Sequence, residues 1–102
     1  MNEQLHYPVR ITTRVDGGMV ITSDDFPELN LTVEYGEDPG KLLVQSLSDI
    51  IRSYMLASKS IPSPSKIGLG QGVVSLPLHV SLRAKLHNIE MELKKHGLPG
   101  AS

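Results

Sequence analysis

The segment Val15-Asp16-Gly17-Gly18-Met19-Val20-Ile21-Thr22-Ser23-Asp24-Asp25-Phe26-Pro27-Glu28 constrains the fold more than any other part of the chain. Ahead of it, Val9, Ile11, Thr13 and Val15 alternate with Arg10, Thr12 and Arg14, a period of two that predicts a strand from Tyr7 to Val15. Asp16-Gly17-Gly18 supplies residues suited to the positive-φ positions of a tight hairpin. The return strand is expected from Met19 to Ser23, with Met19 and Ile21 on one face and Val20 and Thr22 on the other. Pro27 cannot donate to a sheet interior, so Asp24 to Glu28 is expected to form a corner. A third strand follows, with Leu29, Leu31 and Val33 inward and Asn30, Thr32 and Glu34 outward.

Gly36-Glu37-Asp38-Pro39 then opens a helix. Asp38 is a suitable N-cap, Pro39 suits the first helical position and Glu37 complements the positive helix end. Such a cap is worth about 1 kcal/mol relative to Ala. Leu43, Leu47, Ile50, Ile51 and Tyr54 form the apolar stripe, and the helix is expected to end near Ser58. Gly40 in its first turn costs about 0.5–1 kcal/mol with no local reason for it. Ile61-Pro62-Ser63-Pro64-Ser65 and the glycines at 68, 70 and 72 make a stiff, then loose, connection. A short strand, Val73 to Leu76, is stopped by Pro77. The last helix is expected from His79 to His96, terminated at Gly97, with Leu82, Leu86, Ile89 and Leu93 along one side. That spacing suits either a dimer seam or packing on the chain's own sheet.

The expected fold is therefore α+β, in the order β-β-β-α-β-α. A small mixed sheet with a helix on one face follows if the fourth strand returns parallel through a right-handed crossover.

At 102 residues, 39% of them apolar, the chain is one small domain or one domain with an appendage. A domain of this size hides only about two-thirds of its unfolded surface, so association with a partner adds stability. With no Trp and one Phe, the core is expected to be aliphatic. Ten basic and eleven acidic residues leave a net charge of −1, which argues against binding driven by nucleic-acid phosphates. The absence of Cys excludes disulfides and thiolate zinc sites. No apolar run reaches the roughly 18 residues of a membrane span, and the first residues lack a signal-peptide design. A cytoplasmic protein with no membrane partner is expected.

No catalytic constellation emerges. Asp16 lies at a turn while Asp24, Asp25 and Glu28 crowd one corner, a pattern better suited to a solvated, partner-facing patch than to a metal cage. His6, His79, His87 and His96 are scattered, and the eight-residue gap between His79 and His87 cannot place them as adjacent helical ligands. No Gly-x-Ser-x-Gly elbow surrounds any serine. Gly68-Leu69-Gly70-Gln71-Gly72 lacks the Lys-Ser/Thr pair and following helix of a phosphate loop. No enzyme activity, cofactor or metal is expected. Asp24, Asp25, Phe26 and Glu28 are the principal candidates for partner binding, with Arg10 and Arg14 on the first strand's outer face. Phe26 is either an exposed aromatic anchor or the core's one large ring.

Taken in order, several short motifs resemble the HicB antitoxins of bacterial and phage toxin–antitoxin pairs. They are Tyr7-Pro8-Val9, Asp16-Gly17-Gly18, Asp25-Phe26-Pro27-Glu28, Gly36-Glu37-Asp38, Ile61-Pro62-Ser63-Pro64-Ser65 and Val73-Val74-Ser75-Leu76-Pro77. The resemblance implies a partial ribonuclease-H-like fold without its catalytic carboxylates. It also implies a partner: a small basic HicA-like toxin that cleaves mRNA with a histidine and is neutralised when its active surface is covered. Lys41-Leu42 stands where the family usually has Glu-Ala. The organisation expected is a toxin-binding domain over residues 1–76, and over 77–102 a helix and tail serving as a dimerisation element or the remnant of a DNA-binding domain. A homo-oligomer is expected. The alternative function, DNA-binding autoregulation of the operon, requires a further C-terminal domain, because only one helix follows the fourth strand before Ser102.

Overall fold

The fold is that of a computed structural model, which describes residues 4–95. Its elements are β1 (His6–Thr13), β2 (Met19–Thr22), β3 (Asn30–Val33), α1 (Pro39–Leu56), β4 (Gly72–Ser75) and α2 (Leu78–Lys95). Class and element order are those expected from the sequence. The helix end at His96 and the Gly97 terminator lie outside the described residues.

The β1–β2 hairpin closes through Arg14 N–H to the Gly18 carbonyl at 2.8 Å and Gly17 N–H to the Arg14 carbonyl at 3.1 Å. The two glycines serve different ends. Gly17 adopts φ +89°, which an L side chain rarely does. Gly18 is needed for close approach, since a Cβ there would lie 2.8 Å from the Val33 carbonyl oxygen. Asp16 Oδ1 accepts from Gly18 N–H at 2.9 Å and holds the loop. The register that results sets Ile11 opposite Ile21 and Leu31 opposite Ile21 on the next strand. One sheet face is thereby apolar; Ile21 and Val33 on it are buried, while Ile11 stays exposed.

The sheet order is β3-β2-β1-β4. Every pairing is antiparallel, including β1 with β4, where His6 faces Ser75 and Val9 faces Gly72. The expected parallel return, and with it the mixed sheet, is corrected here. The physical reason lies in the connection after α1. Tyr7 donates to the Pro62 carbonyl at 2.7 Å, and Asp25 accepts from the Ser65 backbone N–H at 3.0 Å. Both contacts fasten the connection at the end of the sheet where β1 begins. The chain then reverses near Gly70, at φ +78°, and runs as β4 from Gly72 opposite Val9 to Ser75 opposite His6. The connection from Leu56 to Gly72 is long enough for the chain to turn over before β4 begins, so the crossover rule for parallel strands does not apply.

Helix α1 begins as expected. Asp38 Oδ1 accepts from Gly40 N–H at 3.1 Å and Lys41 N–H at 3.3 Å, with Pro39 in the first turn. Leu43, Leu47 and Ile51 are buried against the sheet, and Ile50 and Tyr54 are partly buried. The helix ends in a Schellman-type turn: Lys59 N–H donates to the Tyr54 carbonyl at 2.9 Å and Ser58 N–H to the Met55 carbonyl at 3.1 Å. Ser58 takes the left-handed position, φ +55°, usually given to glycine.

The core joins Val9, Ile21, Leu29, Val33, Leu43, Leu47, Ile51, Ile61, Val74 and Leu76 to Tyr7 and Phe26. The expectation of an aliphatic core is thus only partly right, because two of its largest buried side chains are aromatic. Tyr7 can be buried because its hydroxyl has a partner in the Pro62 carbonyl.

Two substitutions test the helix ends. Gly40→Ala is expected to stabilise the fold by about 0.5–1 kcal/mol, since its Cβ would meet only Asp38 Oδ1 at 3.6 Å. Ser58→Gly is expected to stabilise it by about 1 kcal/mol through relief at the left-handed position. Urea denaturation of each variant against the parent measures both.

Candidate partner-binding surface

The corner after β2 is built by Ser23. Its Oγ accepts from Asp25 N–H and Phe26 N–H, each at 3.1 Å, and Leu29 N–H closes the turn on the Phe26 carbonyl at 2.9 Å. This local winding sends each successive side chain in a different direction. Asp24 turns to β1, where Arg10 Nη2 reaches its Oδ2 at 2.9 Å. Asp25 turns to the α1–β4 connection and accepts from both the N–H and the hydroxyl of Ser65. Glu28 turns to α1, accepting the Tyr54 hydroxyl at 2.8 and 2.7 Å from its two oxygens.

Phe26 points inward and is 0% exposed. Its ring meets Tyr7 edge-on at 4.9 Å and Tyr54 at 5.7 Å. As a partner-binding residue it is therefore corrected: it is the core's ring and cannot present itself to a partner. The cause is geometric, since the Ser23 turn leaves Phe26 facing the gap between β1 and α1.

The other candidates do not form one constellation. Arg10 and Asp24 are both well exposed and paired across the β1–β2 edge of the corner. Arg14 lies at the opposite end of the sheet, in the hairpin loop, with Asp16 at 2.8 Å and Glu34 at 3.8 Å. Among the described residues, no group of three or more His, Cys, Asp or Glu side chains is placed to hold a metal ion.

Hydrogen bonding to Arg10, then its charge, holds the Asp24 carboxyl below its ordinary pKa. The Tyr54 hydroxyl is the main reason that Glu28 is also lowered. Both carboxylates stay ionised at neutral pH. Tyr54 is raised in turn, chiefly by that hydrogen bond. Burial, with the Asp25 charge second, pushes Tyr7 up to about 12.

Structure adds a feature that sequence reading missed. A groove runs between edge strand β3 and α1, lined by Glu28, Asn30, Leu31, Ser46, Asp49 and Ile50. Asp49 drew no attention in the sequence because it is one polar residue on the outer face of a helix; only the packing of α1 beside β3 brings it to Glu28. Nine of the eleven acidic residues lie within the first 58 positions, against four of the ten basic ones. The body that carries this groove is thus net acidic although the chain is nearly neutral. A groove with an unpaired strand edge, apolar floor and carboxylate rim suits a basic protein partner.

A family model described as the HicB-like antitoxin of bacterial toxin–antitoxin systems matches residues 6–85. The chain belongs to the HicB-like antitoxin family. The match runs from β1 into the first half of α2, so it takes in the whole sheet, α1 and the corner. No curated protein matches the chain significantly. The family places this protein among antitoxins, and no helix among its described residues is long and apolar enough to cross a membrane.

Two predictions follow from the corner's packing. Phe26→Ala removes the ring shared by β1, the corner and α1, and is expected to cost about 3–5 kcal/mol in chemical denaturation, whereas Phe26→Leu costs clearly less. Tyr7→Phe loses the bond to Pro62 and is expected to cost about 1 kcal/mol at neutral pH. Because the folded state raises the Tyr7 pKa from 10.0 to about 12, the parent's advantage is complete below pH 10. It is lost as pH rises towards 12, so the two stability curves converge across that interval.

Proposed function

We propose that this HicB-like protein neutralises a small basic HicA-like toxin by covering the surface with which that toxin cleaves mRNA, and that it performs no chemistry itself. The observation that carries the reading is the family match over the same residues that form the acidic body. The docking surface is the groove rimmed by Glu28 and Asp49 beside the open edge of β3, together with the exposed Asp24 of the same corner. Arg10 pairs with Asp24 alone, while Asp25 acts from behind by holding the Ser65 segment against the corner.

A non-catalytic role is supported by how the carboxylates are used. Asp24, Asp25 and Glu28 are each engaged by a different neighbour and do not converge on a shared point where a reacting atom could be held. Their charge still reaches solvent, and it is this field that would steer and orient a cationic partner. The site of action is the cytoplasm, where a toxin of this class meets mRNA.

The decisive measurement is RNA cleavage by the toxin encoded beside this gene, with rising amounts of the protein. Cleavage is expected to stop near equimolar protein; undiminished cleavage at saturation would falsify the reading. Asp49→Lys, whose side chain holds no structural bond to the corner, is expected to weaken toxin binding by roughly tenfold at low salt. The loss should shrink as ionic strength rises, because the Debye length falls to about 8 Å near physiological salt.

A further inference from the structure

Strand β3 leaves one of its edges open. It ends the sheet, and among the described residues no strand pairs with it on the side away from β2. The hairpin fixes which of its backbone groups face out. Arg14 N–H donates to the Gly18 carbonyl, so those two residues form a hydrogen-bonded pair, and such pairs alternate along an antiparallel ladder. Thr12 with Val20 and Arg10 with Thr22 are therefore hydrogen-bonded pairs, and Met19 and Ile21 turn their N–H and C=O groups to β3. They meet Val33 and Leu31 there, which leaves the backbone groups of Asn30 and Thr32 directed at the open edge. The opening is short. Two residues beyond Thr32, Glu34 N–H already donates to Glu37 Oε1 at 2.8 Å.

The usual defences of a sheet edge are missing from this opening. Asn30, Leu31, Thr32 and Val33 include no lysine or proline, and their one-to-one register with β2 contains no bulge. Asn30 and Thr32 are exposed. A strand laid on the edge would alternate its side chains between the two sheet faces. Its residue opposite Leu31 would project to the face that carries Leu31, beside α1. The groove lies on that side, with a volume of about 280 Å³ lined by Leu31, Ile50, Ser46, Glu28 and Asp49. That space takes one long side chain and is too small for a helix, which is about 10–12 Å across. The Asp49 carboxylate enters none of the ion pairs among the described residues. Glu28 is held only by the Tyr54 hydroxyl, and Lys59 sits over the Tyr54 ring at 5.7 Å without an ion pair to Glu28. A cation on a hydrocarbon stem matches this lining, with the stem against Leu31 and Ile50 and the charge at the carboxylates.

We propose that the toxin partner docks by strand addition: an extended segment of it pairs with Asn30 and Thr32 as a fifth strand and places a lysine or arginine, opposite Leu31, in the groove between β3 and α1. This rests on the antitoxin reading above and adds to it the mode of contact. Main-chain hydrogen bonds supply affinity that does not depend on side chains, and the acidic groove supplies selection. A helix resting on the same carboxylates would leave the Asn30 and Thr32 backbone groups unused, so the two modes are separable by measurement.

Amide hydrogen exchange, resolved by residue with NMR, compares the protein alone with the protein saturated by the toxin encoded beside its gene. Asn30 and Thr32 N–H are expected to slow by about tenfold or more beyond any change at Leu31 and Val33, whose N–H groups already face β2. Thr32→Pro removes the outward donor at a position where an edge strand tolerates proline, and is expected to weaken toxin binding about tenfold. Thr32→Ala, which keeps the N–H, should bind within about twofold of the parent. The groove is tested from α1: Ser46→Lys should weaken binding about tenfold or more, whereas Ser46→Glu, of similar length, stays within about threefold of the parent. Undiminished RNA cleavage at saturation removes the antitoxin reading and this proposal with it. Blocked cleavage with exchange at Asn30 and Thr32 unchanged overturns strand addition and leaves that reading standing. Equal losses from Ser46→Lys and Ser46→Glu overturn the cation in the groove.

Discussion

The edge-to-face packing of Phe26 between Tyr7 and Tyr54 is the contact on which the rest of the structure depends. It joins three elements that are far apart in sequence: β1, the corner after β2, and the last turns of α1. In a domain with a single Phe and no Trp, no other ring can take its place. The polar groups around it follow from the same placement. Once the three rings are stacked, the Tyr7 hydroxyl reaches Pro62 and the Tyr54 hydroxyl reaches Glu28, so each buried or half-buried ring has its polar tip satisfied. The same contacts anchor the long connection that turns β4 antiparallel.

This arrangement also explains how a corner rich in carboxylates packs compactly. The repulsion among Asp24, Asp25 and Glu28 is relieved by sending them to a guanidinium, a serine and a tyrosine hydroxyl. A ribonuclease-type site needs the opposite geometry, with carboxylates brought together. In this HicB-like chain the three carboxylates instead diverge, each toward a different neighbour. The acidic body and the more basic α2 segment then divide the molecule into two regions with different electrostatic character.

Much of the fold was legible in residue order. Alternation in Val9-to-Val15 and Leu29-to-Val33, the Asp16-Gly17-Gly18 reversal and the Asp38-Pro39 cap each act within a few residues, so their consequences are local and readable. The direction of β4 was not legible, because it depends on Ser65 and Pro62 being caught by Asp25 and Tyr7 across intervals of 40 and 55 residues. The candidate site divides in the same way. Its corner carboxylates are adjacent in sequence and were found there. Asp49 comes from another element and gains its meaning from packing. Phe26 could be an anchor or a core ring until the direction of its side chain was known.

What the sequence by itself determined was the inventory of elements, the hairpin register, the helix start and the presence of an acidic corner, all set by backbone preferences and short-range periodicity. The family motifs belong to that level too. Tertiary structure alone decided which side of each amphipathic element is covered. A stripe such as Leu82, Leu86, Ile89 and Leu93 has the same spacing whether it is buried or exposed. Only the bonds from Ser81, His87 and Asn88 to the body show that it faces outward. Burial is a property of what lies opposite a side chain, and that partner is chosen by the whole chain.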